Sequence, residues 1–229
     1  MNENFSLSDT KAAVDTYITA LLDKRISQAD VIHTSYGDLW RDIKRVYLAG
    51  GKRIRPYLTV IGNGGLNDEI VPIAAAQELL HVAVLMHDDI IDQDDTRHGT
   101  LNVNGAYAAN YGVHLPHERV VHYANGAALL AGDALISEAY SAVLRSGYNL
   151  SVTGRVCERL ARSIFEVIGG ELMDVESGFA TGNVYDPLSI YHYKTASYSF
   201  NGPLLAGAYC AGLDELSMAT LETVGSRLG

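Results

Sequence analysis

The sequence predicts an all-α fold, and three observations carry that reading. Only five prolines occur, Pro56, Pro72, Pro116, Pro187 and Pro203, so residues 73–115 and 117–186 contain none. Proline removes a helix donor and clashes with the preceding turn, so long proline-free stretches with spaced apolar residues suit long helices. Strand signals are poor, with no series of alternating apolar–polar runs joined by two-residue turns. Hydrophobic residues make up 48% of the 229 and charged residues 19%, which argues against disorder. A chain of this length buries most of its apolar surface and needs no disulfide or metal staple to form a core.

The elements follow in order. A first helix is expected over about 8–30, with Ser8 or Asp9 as N-cap. A second covers 35–49 and closes on Gly50-Gly51. A third runs 52–63 and ends at the glycines of GNGG. A fourth runs 69–94, with Pro72 tolerated in its first turn. A loop holding Gly99, Gly105 and Gly112 comes next. Helices over 117–146, 150–179 and 187–212 follow, and a last one starts near Asp214 and runs to the end. No internal repeat or low-complexity segment is evident, so residues 1–229 are expected to form one all-α domain.

Lys plus Arg is 17 and Asp plus Glu is 27, a formal net charge of −10. Phosphate backbones need a basic footprint, so nucleic-acid binding is excluded as an expectation. Six of the basic residues lie between Arg41 and Arg55, so the positive charge is concentrated. Cys157 and Cys210 have no metal-like spacing and read as thiols in a reducing compartment. The N-terminus lacks a basic region followed by an apolar run, and no uninterrupted apolar stretch has the ~18–20 residues of a membrane span. A soluble cytoplasmic protein is expected.

The segment QELLHVAVLMHDDIIDQDDTRHG begins as a helix that is apolar nearly all round and ends in acid. Asp88 and Asp92 are four apart and leave one helix face; Asp89 lies about 100° away. Carboxylates at a helix C-terminus oppose the macrodipole, so stability does not explain them. Hard oxygen donors at this spacing suit Mg²⁺, which takes one or two carboxylates plus substrate phosphates. The competing reading is a solvated acidic helix end. Upstream, GGKRIRP (50–56) places Lys52, Arg53 and Arg55 at a helix start, where free N–H groups attract anions. Lys52 and Arg55 are expected to share a face, and Arg53 to make a surface ion pair. An acidic wall for metal and a basic wall for phosphate together suit a diphosphate.

GGKRIRP, ELLHVAVLMHDDIIDQDDTRHG, the GD at 132–133, GGELMD (169–174) and YKTASY (193–198) resemble, in order, the motifs of trans-isoprenyl diphosphate synthases, the polyprenyl synthetase family. The resemblance runs from about residue 20 to the last. It implies a bundle of long, mostly antiparallel helices around a central cavity, usually a homodimer. It also implies a head-to-tail condensation of isopentenyl diphosphate with an allylic diphosphate. Mg²⁺ on Asp88 and Asp92, supported by Asp89, would draw off the allylic diphosphate. Lys52, Arg55 and His81 match the isopentenyl diphosphate site, and Arg97 the arginine on the allylic diphosphate. Lys194 and Thr195 match further positions on that diphosphate. A solvated lysine and a satisfied core histidine are the plainer readings of Lys194 and His81.

Three departures stand out. Where the family carries two arginines after the aspartates, this chain has Arg97-His98, so His98 is expected as the substrate-binding residue there, with weaker phosphate binding on the isopentenyl side than an always-charged guanidinium gives. Glu171 stands where many members have glutamine; with Asp174 it either faces the cavity or is solvated. The chain ends at LETVGSRLG, inside the phrase that precedes the family's second aspartate-rich motif. This stretch is therefore expected to be incomplete at its C-terminus, without the opposing carboxylate wall of the complete enzyme. Ala83 and Val84, just before the first aspartate, match the floor that limits product length. Neither is aromatic, so the resemblance implies a geranylgeranyl or longer product. A regulatory subunit of a heteromeric synthase is the second reading. A terpene cyclase is a third, disfavoured because cyclases need no second diphosphate site.

Overall fold

The computed structural model describes residues 5–179 and 185–228. Its order is α1 (Leu7–Ile32), α2 (Thr34–Leu48), α3 (Ile54–Asn63), α4 (Ile70–Ile91), β1 (Thr96–Arg97), β2 (Thr100–Leu101), α5 (Val103–Tyr111), α6 (His117–Leu144), α7 (Leu150–Phe179), α8 (Pro187–Tyr191), a π-helical segment (His192–Asn201), α9 (Gly202–Ala211) and α10 (Glu215–Leu228). The all-α expectation holds. Two compact units are distinguished: Met1–Val14, Arg53–Glu78 and Tyr140–Gly229 form the first, and Asp15–Lys52 and Leu79–Ala139 the second.

The long helices fall where the proline-free runs place them, and polar side chains close their ends. The N-cap of α1 is Ser6, ahead of the expected Ser8 or Asp9. Asp9 instead reaches back from the first turn: its Oδ2 accepts from Ser6 N–H at 2.9 Å while Ser6 Oγ accepts from Asp9 N–H at 3.2 Å. This reciprocal pair is a capping box. Asn149 and Asp214 accept in the same way from the first turns of α7 and α10. In α7 six of the seven buried residues, Thr153, Val156, Leu160, Ser163, Val167 and Gly170, follow the three-and-four spacing of one helix face, and Arg159 is the seventh.

In the first unit α3 and α9 cross at glycines. A Cβ on Gly62 would stand 2.1 Å from the Leu204 carbonyl oxygen, and one on Gly207 would stand 2.0 Å from that of Thr59. Only hydrogen fits at either point, so the two backbones touch.

Two regions differ from expectation. The glycine loop after α4 is ordered into the β1–β2 hairpin and α5. The hairpin pairs Thr96 with Leu101 and Arg97 with Thr100. His98 and Gly99 form its two-residue turn with φ of 50° and 76°, the positive pair a type I′ turn requires. The expected helix over 187–212 is also interrupted. From His192 to Asn201 it widens to π-helical bonding, and Gly202 N–H donates to the Ser197 carbonyl, five residues back. Pro203 explains part of this, because it has no N–H for the α-helical bond it would otherwise make.

α4 and α6 have the length and apolarity of membrane spans, but the apolar window of α4 is 72% buried here, as a core helix requires. That of α6 is 50% buried.

Candidate active site

In the second unit the C-terminal half of α4 carries the acidic motif. Residues 72–80 of this helix are buried without a break; further along, His81, Val84, Leu85 and Asp88 are half-buried and Asp92 is exposed. These positions follow helical spacing, so α4 presents one open stripe. Val84 lies on it, one turn before Asp88. Ala83, the other expected floor residue, is fully buried and off the stripe.

The helix ends with Gln93 in the left-handed region. Asp94 N–H donates to the Asp89 carbonyl at 2.9 Å, the six-to-one bond of a Schellman end. The side-chain amides of Asn102 and Asn104 both donate to the Asp94 carbonyl, at 2.6 and 2.7 Å. Asn102 Oδ1 also caps α5 by accepting from Gly105 N–H at 2.8 Å. Arg45 of α2 donates to the carbonyls of Leu101 and Asn102. The turn bearing the aspartates and the hairpin bearing Arg97 are thus held to one frame.

Arg97 reaches back from that hairpin. Its Nε and Nη2 lie 2.8 and 2.5 Å from Asp89 Oδ1, and Nη2 lies 3.3 Å from Asp88 Oδ2. Burial pushes the Asp89 carboxyl up, above its ordinary value, against the opposing bonds and charge of Arg97. Desolvation would lower Arg97, but the Asp89 bond and charge, with Asp88 and Asp94, outweigh it and raise the guanidinium. The three aspartates therefore differ in kind: Asp89 is a buried anchor, Asp88 is shared with Arg97, and Asp92 faces solvent.

Among the described residues no three His, Cys, Asp or Glu side chains converge to hold a metal by themselves. Asp88 and Asp92 are hard oxygen donors one helical turn apart, the kind of pair Mg²⁺ takes together with water and phosphate. His87, which drew no attention as a site residue, sits against α6. Its Nε2 lies 3.2 Å from the Leu129 carbonyl, which it meets as an N–H donor, and a Cβ on Gly132 would stand 2.2 Å from that nitrogen. Gly132 of the GD pair thus makes room for the histidine beside Asp88.

The basic loop turns through positive backbone angles. Gly50, Gly51 and Arg53 have φ of 157°, 131° and 54°. α3 begins at Ile54, so exposed Lys52 lies ahead of the helix, and the expected face shared with Arg55 does not form. In the same unit as Lys52, the His98 ring lies 3.6 Å from where a Cβ on Gly50 would stand. Arg53 is not at the surface as expected. It pairs with Glu78 at 2.9 Å, and both side chains are 3% exposed. Its partner lies 25 residues away in α4, which sequence spacing does not reveal.

The first unit carries the other cations. Arg55 Nη2 donates to Tyr198 Oη at 2.9 Å and to Ser199 Oγ at 2.5 Å. Its guanidinium carbon lies 4.6 Å from the Tyr198 ring centroid. Lys194, on the π-helical segment, is paired with α7: Nζ lies 3.0 Å from Glu171 Oε2 and 2.5 Å from Asp174 Oδ2. Desolvation opposes its charge, but the bonds and charges of Asp174 and Glu171 outweigh that and raise the ammonium group. A Cβ on Gly170 would stand 2.3 Å from Lys194 N, so this glycine lets the two segments close. Both carboxylates thus pair with Lys194, Glu171 half-buried and Asp174 at the surface. Thr195 is exposed.

Comparison with known proteins gives a consistent result. The family model described as polyprenyl synthetase matches residues 39–229. A short chain isoprenyl diphosphate synthase from Methanocaldococcus jannaschii is 34% identical over 217 residues, covering 91% of this chain and 61% of that protein. A geranylgeranyl diphosphate synthase from Cyanophora paradoxa is 28% identical over 200 residues, covering 83% and 61%. The crystal structure of geranylgeranyl pyrophosphate synthase from Corynebacterium glutamicum, complexed with isoprenyl diphosphate and magnesium, superposes with a TM-score of 0.88 at 26% identity. That match covers 98% of this chain and 66% of the other. The chain thus spans about three-fifths of the length of these curated relatives.

Proposed function

The chain belongs to the polyprenyl synthetase family, and on that premise we propose that it is the prenyl-transferring part of a Mg²⁺-dependent polyprenyl diphosphate synthase. It joins isopentenyl diphosphate to an allylic diphosphate, residues 1–229 acting as one domain. The observation that carries this reading is the open stripe of α4, where the aliphatic Val84 and Leu85 are followed by the carboxylates Asp88 and Asp92. A diphosphate head and a hydrocarbon tail need those two surfaces in that order.

A divalent cation held by Asp88 and Asp92 would supply Lewis-acid neutralisation of charge on the leaving diphosphate. The protein's own groups do the rest. Arg97 binds allylic diphosphate oxygens from the hairpin, with Asp89 fixing its orientation. Lys194 exchanges a carboxylate partner for a phosphate oxygen, with Thr195 beside it. Lys52, Arg55 and His81 hold the isopentenyl diphosphate, and His98 stands beside the same glycine loop as Lys52. No side chain serves as nucleophile, because the double bond of isopentenyl diphosphate attacks the allylic carbon.

The tail runs along α4 past Val84, whose side chain leaves depth for a geranylgeranyl or longer product. The active species is a homodimer: α7 carries Phe165, Ile168, Leu172 and Phe179 at exposed positions, an apolar face that calls for a covering surface. Cys157 and Cys210 are free thiols, as a cytoplasmic setting allows.

The test is incorporation of labelled isopentenyl diphosphate with a series of allylic primers and Mg²⁺. Incorporation lost with chelator and with Asp88→Ala is the expected result; incorporation that survives Asp88→Ala overturns the metal role. Light scattering that returns the monomer mass overturns the dimer.

A further inference from the structure

We infer that Tyr198 and Ser199 are positioning residues that hold the Arg55 guanidinium ready for the diphosphate of isopentenyl diphosphate. This rests on the proposed function, which gives Arg55 that ligand.

Arginine is long and flexible, and ordering it on ligand binding costs affinity unless the protein has already ordered it. Here three restraints act on one group. Nη2 gives its hydrogens to two neighbouring hydroxyls, Tyr198 Oη at 2.9 Å and Ser199 Oγ at 2.5 Å. The guanidinium also lies over the Tyr198 ring, 4.6 Å from its centroid, a cation–π contact strengthened by exclusion of water. Both partners are buried, Tyr198 at 7% and Ser199 at 5% exposure.

The pattern of donors is informative. Arg55 Nε is buried and makes no hydrogen bond within the protein. A buried donor left unmade is costly, so it marks a place where an acceptor from outside is accommodated. The hydroxyls fix the far nitrogen, and the buried nitrogen nearest the stem is left without an acceptor in the protein.

The backbone supports the same arrangement. Tyr198 and Ser199 lie in the π-helical segment, where five-residue bonding stacks Ser199 over Lys194. α3 is brought to this part of the molecule by the glycine crossing with α9, at Gly62 and Gly207. One segment thus carries Lys194 and the two hydroxyls that set Arg55.

The test uses steady-state kinetics and calorimetric titration with isopentenyl diphosphate on the whole protein. Tyr198→Phe and Ser199→Ala each remove one acceptor and keep the packing. Each is expected to raise KM and Kd for isopentenyl diphosphate about 5- to 10-fold, the loss of one charge-assisted bond. The KM for the allylic partner and kcat should stay within about twofold on the same energy scale. Ser199→Thr, which keeps the hydroxyl, restores affinity. Arg55→Ala raises Kd more than either. Unchanged Kd in both hydroxyl variants while Arg55→Ala is impaired overturns the positioning role alone. So does a fall in kcat and melting temperature together with no rescue by Ser199→Thr, which marks a merely structural role. An Arg55→Ala variant with unchanged Kd, or wild-type protein that does not bind isopentenyl diphosphate, overturns the site assignment and the inference with it.

Discussion

Arg97 holds Asp89 through two nitrogens on a single carboxylate oxygen, at 2.8 and 2.5 Å, and meets Asp88 at 3.3 Å with the second of them. The side chain of Asp89 is 2% exposed, against 18% for Asp88. The acidic motif therefore combines an anchor and a working face, although its sequence presents three equivalent letters.

Substitution should separate the two roles. Asp89→Ala leaves Arg97 without its main partner and should cost about 1–3 kcal/mol of stability, the range for a buried hydrogen-bonding group left unsatisfied. Asp92→Ala should leave stability within about 0.5 kcal/mol, as at an exposed site, while abolishing Mg²⁺-dependent condensation. Denaturant unfolding and the incorporation assay read the two effects. Equal destabilisation by both changes contradicts the division.

Acid should weaken the first unit through Glu166. Burial alone would raise this carboxyl, but the bond from Arg162 and the charge and bond of Arg159 outweigh it and hold it below its ordinary value. The contacts are 2.8 Å to Arg162 and 2.7 Å to Arg159, whose side chain is 5% exposed. A carboxyl depressed on folding adds stability above its unfolded value and loses it as pH falls through the folded one. The stability difference between wild type and Glu166→Gln should be constant near neutrality and shrink below about pH 4.5, the ordinary value for this group. A difference that grows on acidification contradicts the sign.

The sequence shows the helices because their cause is local. Proline-free runs and three-and-four spacing act within a few residues, and the ends of α6 and α7 fall within two residues of expectation. What it conceals depends on distant partners or on backbone bonding. The Arg53 ion pair is invisible because Glu78 lies 25 residues on. The hairpin is set by the left-handed pair His98-Gly99, a less familiar turn than Asn-Gly. The π-helical segment leaves no period in the side chains to detect. The acidic motif, Arg97 and Lys194 stand out by composition, whereas Tyr198 and Ser199 read as ordinary helix residues until Arg55 is seen against them.

The α3–α9 crossing should tolerate no added carbon. Gly62→Ala and Gly207→Ala each put a Cβ about 2 Å from a backbone oxygen, so a helix must shift. Overpacking of this kind costs about 1–3 kcal/mol. Gly154 is the control: it is an exposed residue of α7 with nothing within 4 Å of an added Cβ. There alanine should stabilise by about 0.5–1 kcal/mol through helix propensity alone. Thermal or denaturant melts of the three variants test the contrast, which fails if Gly62→Ala behaves like Gly154→Ala.

Product length should answer to Val84 and not to Ala83. Both precede Asp88 by about one turn, but only Val84 lies on the open stripe of α4, while Ala83 is fully buried. Phenylalanine at Val84 extends a ring over the open stripe before Asp88, so chromatography should show the main product shortened by one or more five-carbon units, with activity retained. Phenylalanine at Ala83 has no such space. It overpacks the helix and should cost about 1–3 kcal/mol of stability before it changes the product. If Val84→Phe leaves the product distribution unaltered, the stripe below Asp88 does not carry the growing tail, and the floor lies on another element.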